Sequence, residues 1–399
     1  MKKITVQSEH FLLETAGPFH WLRLLPGGVP CRLASADEPE AYKVLHWDVN
    51  SPRALVFREE FSFKRLVAQD GTDYTEEAKA LLPVEIQSQY TLQTDPLTRR
   101  FGRQTISNGA CLLTSPGQIT AIMGASGAGK TVFLKMLCGY DQPTAVRWPD
   151  GTVRPGRILV CGQTGDAAMG LLGYVPQGDA MYPELTTRES LRYRLLLKFG
   201  RLLSERDVQR IVEHVCGDLL KLSVWDSLKA TGKKATIDKK IGQMDWLGEY
   251  PSGGERRRIN IAHELVLEPR VLVLDEPTSG LSSKDSDDLM HVLAALARDK
   301  EMTIVMTIHQ PSREMFEQID DLLLLTRGGR PAYYGRRDYA VPFLRTVLRQ
   351  RWGEICEKDN PAEEILIYLD RQEAPEVFPD AFAATMNAMG GVKMEDWAQ

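Results

Sequence analysis

Short, largely apolar runs alternate with helical stripes over most of the chain. Ile119–Met123, Val271–Leu274, Thr303–Ile308 and Leu322–Leu325 are runs of four to six residues bounded by turn residues or acids. Such runs predict central strands of a parallel sheet, buried on both faces. Between them apolar residues recur at helical spacing: Val132–Leu137; Leu191, Leu195 and Leu196; Val208, Ile211, Val212 and Val215; Ile259, Ala262 and Val266; Leu289, Val292, Leu293 and Leu296. The fold class this predicts is α/β. The period changes near residue 89. Before it, Leu55–Phe57 and the alternating Phe61 and Phe63 predict strands, Pro26–Pro30 a turn region, and Ala68–Ala80 a polar linker or surface helix. We therefore expect a small mixed or β-rich module over 1–88, a main domain over 89–340 with a helical part at about 178–268, and an extension over 341–399.

Composition narrows the class. The chain has 399 residues, 43% hydrophobic and 26% charged, which fits ordinary globular domains with sizeable cores. A net charge of −5 argues against a general polyanion binder. The basic stretch Lys229–Lys240 has no interleaved aromatics, so it reads as a solvated loop and no nucleic acid is expected. The six cysteines form no CxxC pair and no zinc-type spacing, which suits reduced thiols in the cytoplasm. Lys2-Lys3 is not followed by an apolar segment of signal-peptide type. No window reaches the ~20 apolar residues of a membrane helix; Ala381–Val392 is short and carries Asn387 and two glycines. A membrane role would run through a partner, with this chain peripheral on the cytoplasmic face.

The chemistry centres on Gly124-Ala125-Ser126-Gly127-Ala128-Gly129-Lys130-Thr131, set between a predicted strand and a predicted helix. This is the setting of a phosphate-binding P-loop. The glycines let backbone N–H groups approach a polyphosphate, and the helix start adds partial positive charge. Lys130 supplies a full charge, and Thr131 a hydroxyl for Mg²⁺. Asp275 and Glu276 close the run Val271–Leu274, where ligand sites of α/β sheets form; Asp275 suits a Mg²⁺ shell and Glu276 a water. Ser252-Gly253-Gly254-Glu255 precedes a helix and offers a second anion site, although Ser-Gly-Gly alone is usually a turn. Phe101 presents a flat face for a purine, and a core phenylalanine fits the sequence as well. His309, at a strand end, suits a γ-phosphate contact, while a lone histidine is more often structural.

Taken in order, Phe101, Gly124–Thr131, Gln177 in Tyr174-Val-Pro-Gln177, Ser252–Glu255, Val271–Glu276 and His309 resemble the A-loop, Walker A, Q-loop, signature, Walker B and switch histidine of ATP-binding cassette (ABC) ATPases. The resemblance covers about residues 89–370 and implies a P-loop NTPase core with a helical signature subdomain. Thr307-Ile-His-Gln-Pro-Ser312, Gly328-Gly-Arg330, Tyr334-Gly335 and Asn360-Pro-Ala-Glu363 resemble the G subfamily of eye-pigment and multidrug half-transporters, in which six membrane helices follow on the same chain. The resemblance implies ATP and Mg²⁺ as cofactors. It implies Mg²⁺ on Thr131, Asp275 and Gln177, Glu276 as general base, and Gln177 and His309 as γ-phosphate sensors. It also implies a homo- or heterodimer of nucleotide-binding domains arranged head to tail, with Ser252–Glu255 of one closing on the nucleotide of the other, and a separate transmembrane subunit. A soluble, non-transport ABC ATPase of translation, DNA repair or regulation is the competing class. Two departures stand out: Pro251 replaces an aliphatic residue, and Ser282 takes the usual place of an aspartate, with Asp285 three residues on.

Overall fold

The computed structural model describes residues 91–147, 151–178, 181–200, 203–222, 235–242, 250–352, 357–371 and 374–388, together with the backbone of six short strands before residue 69. The chain divides into two compact units, residues 1–87 with 192–212, and residues 88–191 with 213–399.

In the first unit Ile4–Gln7, Phe11–Ala16, Phe19–Leu24 and Leu55–Arg58 form an antiparallel sheet in that order. Cys31–Leu33 pairs with Leu66–Ala68. The expected strand at Leu55–Phe57 is present, and Ala68 ends a strand rather than opening a linker. Pro26–Pro30, Phe61, Phe63 and residues 69–80 lie outside the described residues.

The second unit is built on a six-stranded sheet whose strands are β1 (Ile119–Gly124), β2 (Leu172–Val175), β3 (Val271–Leu274), β4 (Thr303–Thr307), β5 (Asp321–Leu325) and β6 (Pro331–Arg336). Their order is β2-β3-β4-β1-β5-β6. All pairs are parallel except β5–β6, an antiparallel edge. Every residue of β1, β3, β4 and β5 is buried, as their mostly apolar character requires, and Thr120, Thr303, Thr307 and Asp321 are the polar residues among them. Two smaller antiparallel pieces lie beside it. One joins Leu92–Thr94 to Leu113–Thr114 and Ile158–Val160, and the other is the hairpin Leu97–Phe101/Gln104–Ala110.

Helix α1 (Lys130–Leu137) follows β1 and buries Phe133, Leu134, Met136 and Leu137 in the core. Helix α2 (Gly253–Leu265) precedes β3, and α3 (Ser283–Lys300) runs from β3 back to β4. The expected stripe on α2 is buried at Ile259 and Ala262 and at Val266 just beyond it. On α3, Leu289, Leu293 and Leu296 are buried. Helices α4 (Arg337–Trp352), α5 (Pro361–Leu369) and α6 (Ala374–Ala388) follow β6. Asn360 caps α5 by accepting from the Ala362 N–H, with Pro361 opening the helix. Among the described residues no helix is long and apolar enough to cross a membrane.

Candidate functional site

The site gathers at the carboxyl ends of β1, β3 and β4. Gly129 caps α1 with φ +81°, in the left-handed region that favours glycine. A Cβ there would sit 2.3 Å from the Ile106 carbonyl oxygen, so the loop is pressed against the neighbouring hairpin. A Cβ on Gly329, in the turn between β5 and β6, would come equally close to the same oxygen, 2.3 Å. Both glycines are therefore set by close backbone approach. Ser126 and Gly127 are exposed at the loop tip, whereas Gly124, Ala125 and Ala128 are buried beneath it. Lys130 is 9% exposed and donates to the Gly124 oxygen at 2.8 Å and the Ala125 oxygen at 3.3 Å. Burial pushes its pKa down, and the carboxylates of Glu276 and Asp275 push back.

Thr131, the next residue of α1, donates from its hydroxyl to Asp275 Oδ1 at 3.2 Å. Thr307, at the end of β4, donates to the same oxygen at 2.7 Å. Its own oxygen accepts the Glu276 N–H at 2.8 Å. Glu276 has φ +46°, a left-handed backbone that costs a non-glycine residue on the order of 1–3 kcal/mol. The Glu276 side chain accepts from Gln177 Nε2 at 2.7 Å. Thr131, Asp275, Thr307, Glu276 and Gln177 are thus one bonded chain running from the P-loop helix to the loop after β2. The Thr131 hydroxyl in the first turn of α1 and the buried Asp275 carboxylate after β3 form the sparse oxygen set that suits Mg²⁺ beside phosphates.

Ser252 caps α2. Its Oγ accepts the Glu255 N–H at 3.2 Å, and Glu255 returns the bond to the Ser252 N–H at 2.8 Å. This capping box explains why glutamate stands three residues after the serine. Ser252 itself is exposed at the start of the helix. Glu255 also accepts from Thr236 at 2.7 Å. Burial raises the Glu255 pKa, but the hydrogen bonds from Ser252 and Thr236 outweigh it and hold the carboxyl below its usual range. Pro251, ahead of the cap, is buried. Gly254 packs on α3, where a Cβ would meet the Asp285 carboxylate at 2.8 Å. Ser282 proves to be the N-cap of α3, accepting the Asp285 N–H and donating to Asp285 Oδ2 at 2.7 Å.

Phe101 ends its hairpin strand and is 50% exposed. The Arg99 guanidinium covers its ring at 4.5 Å and is fixed in turn by Asp141 and the Gln142 carbonyl. His309 is exposed after β4. Among the described residues no hydrogen bond joins Phe101, His309 or Ser252–Glu255 to the Thr131–Gln177 chain.

Sequence reasoning missed Thr307 and Arg257 as site residues. Thr307 stands out only once its register against Asp275 is known. Arg257 sits in the arginine run after the signature serine, and nothing local sets it apart from Arg256 and Arg258.

Residues 108–279 match the ABC transporter family. ABC transporter G family member 25 of Oryza sativa subsp. japonica is 32% identical over 69% of this chain and 25% of its own length. Member 10 of Dictyostelium discoideum is 39% identical over 63% of this chain and 16% of its own. Member 23 of Arabidopsis thaliana is 31% identical over 78% and 47% respectively. The chain thus spans less than half the length of these curated relatives. A solved structure titled cbiO1 from Clostridium perfringens, part of the ABC transporter complex cbiONQ, aligns with TM-score 0.49 at 21% identity, over 67% of this chain and 97% of that one. The family match takes in Gly124–Thr131, Gln177, Ser252–Glu255 and Asp275–Glu276. With the G-family relatives it shows that the chain carries an ATP-binding domain of the ABC transporter family.

Proposed function

We propose that the protein binds ATP with Mg²⁺ at the P-loop and hydrolyses it, as half of a head-to-tail dimer of nucleotide-binding domains that drives a separate membrane subunit. The observation that carries the reading is the bonded chain from Thr131 through Asp275, Thr307 and Glu276 to Gln177. It brings a metal-type oxygen pair and a candidate base together beside a buried lysine.

Phosphoryl transfer needs positioning and charge neutralisation more than covalent chemistry. Lys130 turns from the Gly124 and Ala125 carbonyls to the β- and γ-phosphates. The Thr131 hydroxyl, the Asp275 carboxylate and the Gln177 amide oxygen would hold Mg²⁺, which draws charge from the phosphate oxygens. Glu276 takes a proton from the attacking water as the water oxygen bonds to the γ-phosphorus and the bond to ADP breaks. Phe101, with one face under Arg99, offers its other face to the adenine. His309 reaches the γ-phosphate on closure. Ser252–Glu255 serves the partner domain's nucleotide, where the capped serine donates its hydroxyl and the α2 terminus adds partial positive charge. The bounds 1–88, 89–340 and 341–399 remain our division of labour, with ATP chemistry in the second.

Glu276→Gln tests the assignment. ATP binding should persist while turnover falls roughly 10²–10⁴-fold, the worth of a general base. Near-normal hydrolysis would move the base elsewhere. Pull-down of the wild-type protein from native membranes should recover an integral membrane protein; recovery of ribosomes, DNA or soluble proteins alone would turn the reading to the non-transport class.

A further inference from the structure

Arg257 lies on α2, is 5% exposed, and points its guanidinium into the gap between two loops. Nε donates to the Pro277 carbonyl at 2.9 Å. Nη1 donates to the carbonyls of Pro176 at 3.0 Å and Gln177 at 2.9 Å. Nη2 donates to those of Asp275 at 2.9 Å and Glu276 at 2.7 Å. A guanidinium has five N–H donors in a fixed plane, and here five backbone carbonyls receive them. Two belong to the segment carrying Gln177 and three to the segment carrying Asp275 and Glu276.

We infer that Arg257 is a positioning residue for hydrolysis: it holds the Gln177 and Glu276 main chains in fixed register, so that the two side chains meet at the attacking water. The inference rests on the ATPase reading above. Glu276 needs such an anchor because its backbone is left-handed. Thr307 fixes its N–H and Arg257 its carbonyl, so the strained peptide is held at both ends. Lysine has three donors on one nitrogen and cannot span the two loops as a planar fork does. The placement also couples the two ends of the site. Arg257 is five residues past the Ser252 cap on the same rigid helix, about 7–8 Å along its axis. A shift of the Ser252 end as it meets a second domain is therefore delivered directly to the carbonyls of Gln177 and Glu276.

The test uses the full chain in four forms: wild type, Arg257→Lys, Arg257→Gln and Glu276→Gln. Turnover and KM for MgATP are measured beside direct ATP binding, and rates are expressed per ATP-binding site so that misfolded protein drops out. Both Arg257 variants should bind ATP within about two-fold of wild type and turn over roughly ten- to a hundred-fold more slowly, the scale of a misplacement near 1 Å. Placed in the Glu276→Gln chain, Arg257→Lys should add little further loss, because the group it positions is already gone. Arg257→Gln removes the buried charge as well, so it serves where the lysine variant does not fold. Wild-type turnover per binding site in either folded variant would overturn the inference, as would a full additional loss in the Glu276→Gln chain. Wild-type turnover by Glu276→Gln itself would instead move the base elsewhere and strike the role of Glu276 on which the inference stands.

Discussion

Thr307→Val removes one hydroxyl from the centre of the site and changes little else in shape. That hydroxyl is buried, donates to Asp275 Oδ1 and accepts the Glu276 N–H. Losing a bond to a carboxylate costs about 1.5–3 kcal/mol, and an orphaned buried N–H about 1–3 kcal/mol. The added methyl returns about 0.8 kcal/mol. The net is a destabilisation of about 2–5 kcal/mol, which would lower Tm by roughly 5–15 °C in a domain of this class. Activity should suffer separately. With its N–H released, Glu276 keeps only its carbonyl side anchored and relaxes from φ +46°. Turnover should then fall roughly ten- to a hundred-fold at saturating ATP. Thr307→Ser is the control: it keeps both bonds and loses a methyl, about 1 kcal/mol, with turnover near wild type. Thermal unfolding and steady-state ATPase assays on the two variants decide the matter. A valine protein that matches the serine protein in both would refute the view that this hydroxyl holds the carboxylates.

Lys130→Ala should abolish tight ATP binding, because the polyphosphate loses its one full side-chain countercharge in the loop; wild-type affinity by calorimetry would remove the P-loop from the reading. Ser252→Arg should bind ATP as wild type does yet fail to hydrolyse it, since a bulky cation at the α2 cap obstructs closure over a partner's nucleotide; normal turnover would exclude a composite site. The Glu255 carboxyl is held below its usual pKa, so its contribution is complete above about pH 4.3, the unfolded value, and is lost as pH falls through the folded one. Acid unfolding of Glu255→Gln compared with wild type should show that increment missing, and superimposable pH profiles would show the capping box to be energetically silent.

The sequence made the P-loop and the Asp275-Glu276 pair legible because each is contiguous: an apolar run, a turn or an acid, then a helix. Ser252-Gly-Gly-Glu255 was legible as a helix start for the same reason, since a cap and its third residue are neighbours on the chain. Ser282 was read against an expected aspartate, and its place as the cap of α3 emerged only from geometry. Thr307 and Arg257 escaped because their partners are distant in sequence. Thr307 meets Asp275 through strand register, and Arg257 meets main-chain carbonyls whose identity no side-chain pattern records. The helical stripe through Val215 was correct in content, yet the chain from His214 to Leu219 is a π-helix, a wider turn that side-chain spacing does not signal. In the first unit, the strands Phe11–Ala16 and Phe19–Leu24 went unread although Gly17-Pro18 stands between their apolar runs.

Gly129 and Gly329 close on the Ile106 carbonyl from distant parts of the chain. Beside the second glycine, Arg330 donates to the Pro375 carbonyl and to Asp380, both on α6. The phosphate loop is therefore not a portable cassette. Grafted into another scaffold with only its own strand and helix, it would arrive without the peptide it rests against. A faithful transplant would have to carry the hairpin, the Gly-Gly-Arg turn and the helix that steadies it, three pieces with no shared consensus and one common wall.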